Sequence, residues 1–445
     1  METIGEIVIS QSLLNKLGLP PQSQIRVRVG NKAVFAKLTV QQRTGNTYLL
    51  SPSLIKALHL KKRKPLRIRY HKEENTIHIG PTIGIFTTHL PSQGIFEPTS
   101  LQAELIYLSN VAKSLPGQIF IFTSGSVDWK TNTVRGYTYK PVSGSRGVWV
   151  ASTYPLPDVV YDRITTRRGE ARMNIKKTKN RLLELPYTKY FNPSFLNKWE
   201  VHQMLETNPL LHEYLPETRE LNLENLTELL MKYRTVFIKP SDGSLGMKII
   251  KAHINQNRQI DYIVYRGGIF RRAAKNPEEL LRQTSRLRQG KPYIVQQGLE
   301  LARYRRHSFD IRIIYQKNSQ GDWQISKKLA RIAPGGSSIS NLSSGGKVVR
   351  SRIVLKYLLR KDQKINTCNE EIRKLCYLAA STLEKSSKKN FGELGLDIGI
   401  DRKGHPWLIE VNSKPRKTTE TVFSQAIMRN TFKRPLEYAI HLAGF

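Results

Sequence analysis

Leu394-Gly395-Leu396-Asp397-Ile398-Gly399-Ile400, then Asp401-Arg402-Lys403-Gly404, then Pro406-Trp407-Leu408-Ile409-Glu410-Val411-Asn412 reads as two short strands joined by a turn. Pairing Ile400 with His405 across a four-residue turn opposes Asp397 to Leu408. Because side chains alternate along a strand, Asp397, Glu410 and Asn412 then share one face. Ile398, Ile400, Trp407, Ile409 and Val411 fill the other, toward a core. Two carboxylates and an amide held this close need a cation. Magnesium suits hard oxygen ligands and leaves its remaining positions to water and substrate phosphates. An Arg or Lys paired to the cluster is the alternative in so basic a chain.

Working upstream, Val236-Phe237-Ile238-Lys239-Pro240 reads as a strand, Ser241-Asp242-Gly243-Ser244-Leu245-Gly246 as a flexible loop, and Met247-Lys248-Ile249-Ile250 as a returning strand. Small residues there let backbone amides approach phosphate oxygens, and Lys239 adds a point charge. It is not a Walker loop, because the lysine precedes the glycines and a strand follows them. Between the two hairpins lie the apolar strand Tyr293-Ile294-Val295-Gln296-Gln297-Gly298-Leu299, then Phe309-Asp310-Ile311-Arg312-Ile313, Ala330-Arg331 and the polar run Ser340 to Gly346. Asp310 and Arg312 could form a structural ion pair. A helix start is written at Asn276-Pro277-Glu278-Glu279, with Asn as cap and Glu three positions on.

This order of motifs resembles the ATP-grasp ligases, nearest the glutathione synthetases and the enzymes that add glutamate to peptide or protein ends. The match is closer still to the YheC/YheD-type ATP-grasp family of endospore coat-associated proteins, through Tyr161-Asp162-Arg163-Ile164, Lys198-Trp199-Glu200, Leu215-Pro216-Glu217-Thr218 and Phe391-Gly392-Glu393-Leu394-Gly395. The resemblance implies an α+β chain whose ATP-grasp domain (182–445) follows an α/β pre-ATP-grasp domain (81–181). It also implies ATP and Mg2+ as cofactors. Lys198 and Lys239 would contact the ATP phosphates, under a lid loop of Gly243, Ser244 and Gly246. Gln296, Gln297 and Leu299 would meet adenine, mainly through backbone groups. Asp397, Glu410 and Asn412 would hold magnesium, and Arg331 would face the transferred phosphoryl group, with Arg312 and Arg350 as competing cations. Gln296 stands where many ligases of this superfamily carry an acid, and Glu300 is the nearest candidate for ribose.

Residues 1–80 contain a duplication at an offset of 41 positions. Ile9-Ser10-Gln11-Ser12-Leu13-Leu14 realigns with Leu50-Ser51-Pro52-Ser53-Leu54-Ile55, Leu17-Gly18-Leu19 with Leu58-His59-Leu60, and Arg26-Val27-Arg28-Val29 with Arg67-Ile68-Arg69-Tyr70. Two strand-helix-strand units point to one small barrel-like module, similar in architecture to AbrB-like barrels, some of which bind DNA. From Gly80-Pro81 onward, short apolar strands such as Ile83 to Phe86 and Gln118 to Phe122 alternate with helices.

At 445 residues and 39% hydrophobic content the chain is globular, with room for two to four domains at roughly 100–200 residues each. Lys and Arg total 72 against 35 acids, a net charge of +37 that suits a polyanionic partner: an acidic peptide or polymer, nucleic acid, an anionic membrane face or an acidic protein layer. The densest basic run, Arg163 to Arg181, is matched around Arg303 to Arg306 and Lys347 to Lys364, so a solvated basic coat is an equal reading. No stretch approaches the ~20 apolar residues of a spanning helix, and the N-terminus lacks the pattern of a secretion signal. Cys376 falls on a helical stripe with Ile372, Leu375, Ala379 and Leu383, as a buried reduced thiol of a cytoplasmic protein would.

No Ser-His-Asp or Cys-His constellation is present, and the ten histidines lack metal-ligand spacing. Three function classes remain. The first is a carboxylate-amine ligase acting through an acylphosphate on an acidic substrate; the second is an ATP-binding spore-coat scaffold among coat proteins; the third is a nucleic-acid binder using residues 1–80.

Overall fold

The computed structural model describes residues 2–61, 65–90, 101–143, 146–243, 247–266, 268–334, 346–419 and 424–445. They fall into two compact units: residues 1–194 with 316–324 and 416–445, and residues 195–315 with 325–415.

The first unit opens with the duplicated module. β1 (Glu6–Ser10), α1 (Gln11–Leu17), β2 (Gln24–Val29) and β3 (Lys32–Gln41) are followed by β4 (Tyr48–Leu50), α2 (Pro52–Ala57), β5 (Arg67–His71) and β6 (Thr76–Gly80). The 41-position offset holds down to single hydrogen bonds. Ser10 Oγ accepts the amide of Leu13 and Ser51 Oγ that of Leu54, so the same residue of each repeat caps its helix. The repeats also exchange contacts: the amide of Glu6 donates to Ser51 Oγ, and that of Thr47 to Ser10 Oγ. Beyond each helix stands a left-handed residue, Gly18 at φ 61° and His59 at φ 51°. The next amides return alike, Leu19 to Leu14 and Leu60 to Ile55.

Its six strands run in the order β4-β1-β3-β2-β6-β5 around Ile7, Ile9, Val27, Leu54 and Ile77. The phenol of Tyr48 on β4 donates to the carbonyl of Leu66, just before β5. The two ends of the sheet are thus within one side chain of each other, as in a barrel.

After Gly80-Pro81 come β7 (Thr82–Phe86), α3 (Leu101–Ala112), β8 (Gln118–Phe122), β9 (Val127–Asp128), β10 (Thr133–Ser143), β11 (Arg146–Pro155), β12 (Val159–Asp162), α4 (Arg167–Glu170), α5 (Met173–Leu183) and β13 (Lys189–Phe191). Neighbours β8, β7, β12 and β13 are parallel, and every residue of β7 and β8 is buried, as a sheet covered on both faces requires. A helix over Gln425–Leu442 packs on it through Met428, Phe432 and Leu436. Arg28 of the module pairs with Asp158 at 3.0 Å, and His78 Nε2 lies 2.9 Å from the same buried carboxylate, tying module to sheet.

The second unit contains two sheets. The first is built from α6 (Lys198–Glu206), β14 (Thr218–Glu220), α7 (Leu223–Tyr233), β15 (Thr235–Pro240), β16 (Ile249–Ile254), β17 (Ile260–Tyr265), β18 (Ile269–Ala274), α8 (Pro277–Arg288) and β19 (Tyr293–Gln297). Its strands run β14-β19-β15-β16-β17-β18, antiparallel throughout. Leu226 and Leu230 of α7 and Leu280 of α8 bury Val236, Ile238, Ile250 and Tyr262 on one face. α8 starts where the sequence writes its cap: Asn276 Oδ1 accepts the amide of Glu279 at 2.8 Å, while the Glu279 carboxylate reaches back to the amide of Lys275.

The second sheet follows, from β20 (Arg303–Tyr304), β21 (His307–Lys317), β22 (Trp323–Ile332), β23 (Lys347–Arg350), α9 (Ser351–Leu359), α10 (Asp362–Ser387), β24 (Glu393–Ile400) and β25 (Pro406–Asn412). Its order is β23-β22-β21-β24-β25, with β20 beside β21. The α10 stripe of Ile372, Leu375, Cys376, Ala379 and Leu383 is fully buried, and burial pushes the Cys376 thiol up to about 12. No helix among the described residues is long and apolar enough to cross a membrane.

Candidate functional site

The β24–β25 hairpin departs from the expected register. Its loop takes five residues rather than four, because the Asp401 amide closes on the carbonyl of His405 and Asp401 Oδ1 accepts the amides of Lys403 and His405. Ile400 therefore opposes Pro406 and Ile398 opposes Leu408, a one-residue slip that on its own would turn Glu410 away from Asp397. A bulge between Asp397 and Ile398 absorbs the slip, so that Asp397 opposes Glu410 directly and Gly395 opposes Asn412. Asp397, Glu410 and Asn412 do share a face, by this route. The correction falls on the apolar side: Leu408 is the buried residue, and Ile409, on the bulge, lines a pocket beside Glu410.

Asp397 is already held by cations. Arg312 Nε lies 2.6 Å from its Oδ1, and Arg331 Nη2 lies 2.9 Å from its Oδ2. Arg331 is in turn gripped by Asp310, Nε to Oδ1 at 2.7 Å and Nη2 to Oδ2 at 2.6 Å. The pairing of Asp310 with Arg312 is thus replaced by two cross-strand pairs. Residues i and i+2 of a strand stand ~6.7 Å apart, whereas facing residues of neighbouring strands stand ~5 Å apart, and β21 lies between β22 and β24. Burial alone would lower the Arg331 pKa, but Asp397 and Asp310 together raise it, so the guanidinium stays charged with only 8% of its surface exposed.

The two lysines meet at the pocket. Asn197 caps α6 by accepting the amides of Trp199 and Glu200, which puts Lys198 in the first turn. Lys198 Nζ donates to the carbonyl of Gly243 at 2.6 Å and sits 3.3 Å from Glu410 Oε1. Gly243 has room for nothing larger, since a Cβ would come within 2.3 Å of the Pro240 ring. Lys239 Nζ donates to Gln296 Oε1 at 2.5 Å, and Gln296 Nε2 donates to Thr218 Oγ1 at 2.9 Å. Thr218 Oγ1 donates to the carbonyl of Pro216, which fixes the Gln296 amide with its oxygen toward the lysine. Burial pushes Lys239 down to about 8; Lys198 adds to the shift and Glu410 opposes it.

These groups line one small cleft open to solvent, with Lys198, His202, Thr218, Lys239, Gln296 and Glu410 as its polar lining and Leu205, Ile294 and Leu408 among its apolar walls. Gln297 is used structurally: its amide donates to the Glu217 carbonyl and its side-chain oxygen accepts the Glu217 amide. Leu299 lies two residues beyond the strand. Ser244 and Gly246 fall outside the described residues, as does 340–345 of the polar run. Met247 and Lys248 form a turn, Lys248 with φ 60°, and the returning strand begins at Ile249.

Two wall residues, Thr218 and His202, carry no role in the sequence reading. His202 lies four residues after Lys198, on the same side of α6, a spacing that marks it as a neighbour of the lysine. Its ring stacks on Trp199, its Nε2 is 2.9 Å from Glu206 Oε1, and burial lowers its pKa against the pull of that carboxylate.

As a metal site the donor set fits magnesium in kind: two carboxylates and an amide oxygen, all hard, on facing strands. Among the described residues no group of three or more His, Cys, Asp or Glu is assembled, so other positions would fall to water and phosphate oxygens. Asp397 Oδ1 is buried and, despite the nearby Arg312, has no donor aligned for a hydrogen bond. A cation bound at this oxygen would displace the Arg312 guanidinium, which stands 2.6 Å away.

The family model described as YheC/D like ATP-grasp matches residues 187–442. The chain is 28% identical over 459 residues to the endospore coat-associated protein YheD of Bacillus subtilis (strain 168), covering 98% of this chain and 96% of that one. It is 24% identical over 362 residues to the endospore coat-associated protein YheC of the same organism, covering 78% and 95%. Among solved structures, D-cycloserine synthetase DcsG aligns with a TM-score of 0.47 at 15% identity, covering 81% of this chain and 99% of that one. D-alanyl-alanine synthetase A from Vibrio cholerae aligns with a TM-score of 0.44 at 13% identity, covering 82% and 97%. Matched by that model over more than half its length, the chain belongs to the YheC/D-like ATP-grasp family.

Proposed function

We propose that the chain is an ATP- and magnesium-dependent carboxylate-amine ligase that activates an acidic peptide or polymer as an acylphosphate, with a role at the bacterial endospore coat. The observation that carries this is the convergence of Lys198, Lys239, Gln296 and Glu410 on one pocket, with Asp397 directly across the ladder from Glu410. Adenine would enter between the apolar walls near Gln296, Gln297 and Leu299. Phosphates would lie on the two lysines, under the loop of Gly243, Ser244 and Gly246. Asp397, Glu410 and Asn412 would hold Mg2+, which when bound neutralises phosphate charge and orients the terminal phosphoryl group.

A substrate carboxylate oxygen attacks the γ-phosphorus, and the bond to the β-phosphate oxygen breaks with ADP leaving. An amine nitrogen then attacks the acyl carbon, phosphate departs with the C–O bond electrons, and the amine loses its proton. Arg331, held charged by Asp310, would stabilise the equatorial oxygens in the first step. Its fixed position suits preorganised electrostatics rather than proton transfer. A panel of acidic peptides and amines scored by ADP release and product mass tests the reading; magnesium-dependent ADP release with a mass gain matching an amide is expected, and no turnover across the panel would count against it.

One observation favours a second reading, an ATP-binding coat scaffold with little catalysis. Asp397 is clamped between Arg312 and Arg331, which is how a structural cluster would be neutralised without metal. Nucleotide binding with no ADP release would select it.

A further inference from the structure

The face of the β14–β18 sheet that carries Lys239 continues well past the pocket. Thr218 opposes Gln296, Gln296 opposes Phe237, Phe237 opposes Lys251, Lys251 opposes Ile263 and Ile263 opposes Arg271. One transverse row of side chains therefore crosses six strands, about 24 Å at ~4.8 Å per strand, from the pocket to the outer edge. Its pocket end is buried and polar, its middle is half-buried, and Arg271 at its far end is exposed. Lys251 Nζ stands 5.9 Å from the centre of the Phe237 ring, its neighbour in the row, and burial with Arg303 pushes its pKa down.

The edge itself is unusual. β18 ends the sheet among the described residues, and its first five residues are exposed, including Ile269 at 40% and Phe270 at 53%. The segment 266–275 carries Arg266, Arg271, Arg272 and Lys275 and no acid. Basic residues on an edge strand commonly guard it against pairing with other chains. That role does not explain Ile269 and Phe270, exposed on opposite faces of the strand between the arginines. A strand edge flanked by cations and apolar side chains offers what an incoming extended chain uses, a backbone ladder for affinity and alternating side chains for selectivity.

We propose that β18 takes up an extended acidic polypeptide segment as a further strand of this sheet, its carboxylates met by Arg266 and Arg271. Nucleic acid has no backbone ladder to add to a sheet edge, which is why a polypeptide is the occupant. The ligase reading supplies the reason for such a segment to lie beside the pocket; the docking itself is tested without turnover.

The full chain, free of nucleotide, is titrated against a fluorescent peptide of alternating Glu and Val, against the same peptide N-methylated at every amide so that neither edge can donate, and against an oligo(dT) of equal charge. The parent peptide is expected to bind. N-methylation, which keeps the charge and removes the ladder, and the double substitution Arg266→Glu with Arg271→Glu are each expected to weaken binding by roughly tenfold or more. Nucleotide affinity of the double variant reports that it is folded. Equal binding of the N-methylated peptide, equal competition by oligo(dT), or a folded double variant within about twofold of the parent would overturn the proposal. ADP release by a protein that fails to bind the peptide would sink this proposal alone; peptide binding without ADP release under any condition would leave it standing and remove the ligase reading.

Discussion

Lys239 reaches a neutral amide oxygen, that of Gln296, at 2.5 Å, at a position where the ligase pattern more often has a carboxylate. The lysine is about nine-tenths buried at the pocket wall, and its charge is favoured by Glu410 and opposed by Lys198.

The consequence is a pH-dependent nucleotide affinity. With Lys239 lowered from 10.5 to about 8, the protein without ligand releases this proton in the range where an ordinary lysine keeps it. A phosphate favours the charged form, so binding takes up a proton and affinity falls as pH rises through about 8. Stability of the unliganded protein runs the other way, rising between about 8 and 10.5, because the unfolded chain still binds the proton there. Replacing Gln296 by Glu supplies a counter-charge and moves the fall in affinity to higher pH. Calorimetric titration of ATP across that range checks both; an affinity flat through pH 8 to 10 would be inconsistent with this lysine on the phosphates.

Asp310 and Arg331 form a two-bond pair that is more than nine-tenths buried at both ends. Asp310→Ala leaves a buried guanidinium with Asp397 alone, and the expected loss is about 3 kcal/mol in urea unfolding. Adding Arg331→Met should restore a large part of it. A double variant no more stable than the single one would show that the cost lies elsewhere.

The two helix caps of the N-terminal module are equivalent by position and by hydrogen bonding. Ser10→Ala and Ser51→Ala are each expected to cost about 1 kcal/mol. Equal losses within about 0.5 kcal/mol in chemical denaturation support the equivalence; a silent change at either site would break it.

Much of this architecture was legible in the residues, and the gaps have identifiable causes. The 41-position repeat predicted two copies of one unit, and even the left-handed position survives with Gly18 and His59 in it. The α10 stripe and the Asn276 cap follow helical spacing, which is local. What failed was non-local. Nothing in the sequence signals the bulge that turns Glu410 toward Asp397, because a bulge depends on which residue the partner strand presents. The partners of Asp310 and Arg312 were likewise hidden, since strand order, not spacing along β21, decides which charges meet. Thr218 was visible in Leu215-Pro216-Glu217-Thr218, but its task, orienting the Gln296 amide, needs β14 beside β19.

The central claim is that the Asp397–Glu410 pair serves the magnesium of a bound ATP and is more than an ion-paired cluster. Single-turnover ADP release, measured against magnesium concentration for the parent, Asp397→Asn and Glu410→Gln on the same acidic peptide panel, tests it most directly. The account predicts magnesium-dependent release in the parent and a loss of roughly a hundredfold or more in each folded variant. Full turnover in Asp397→Asn and Glu410→Gln would contradict it.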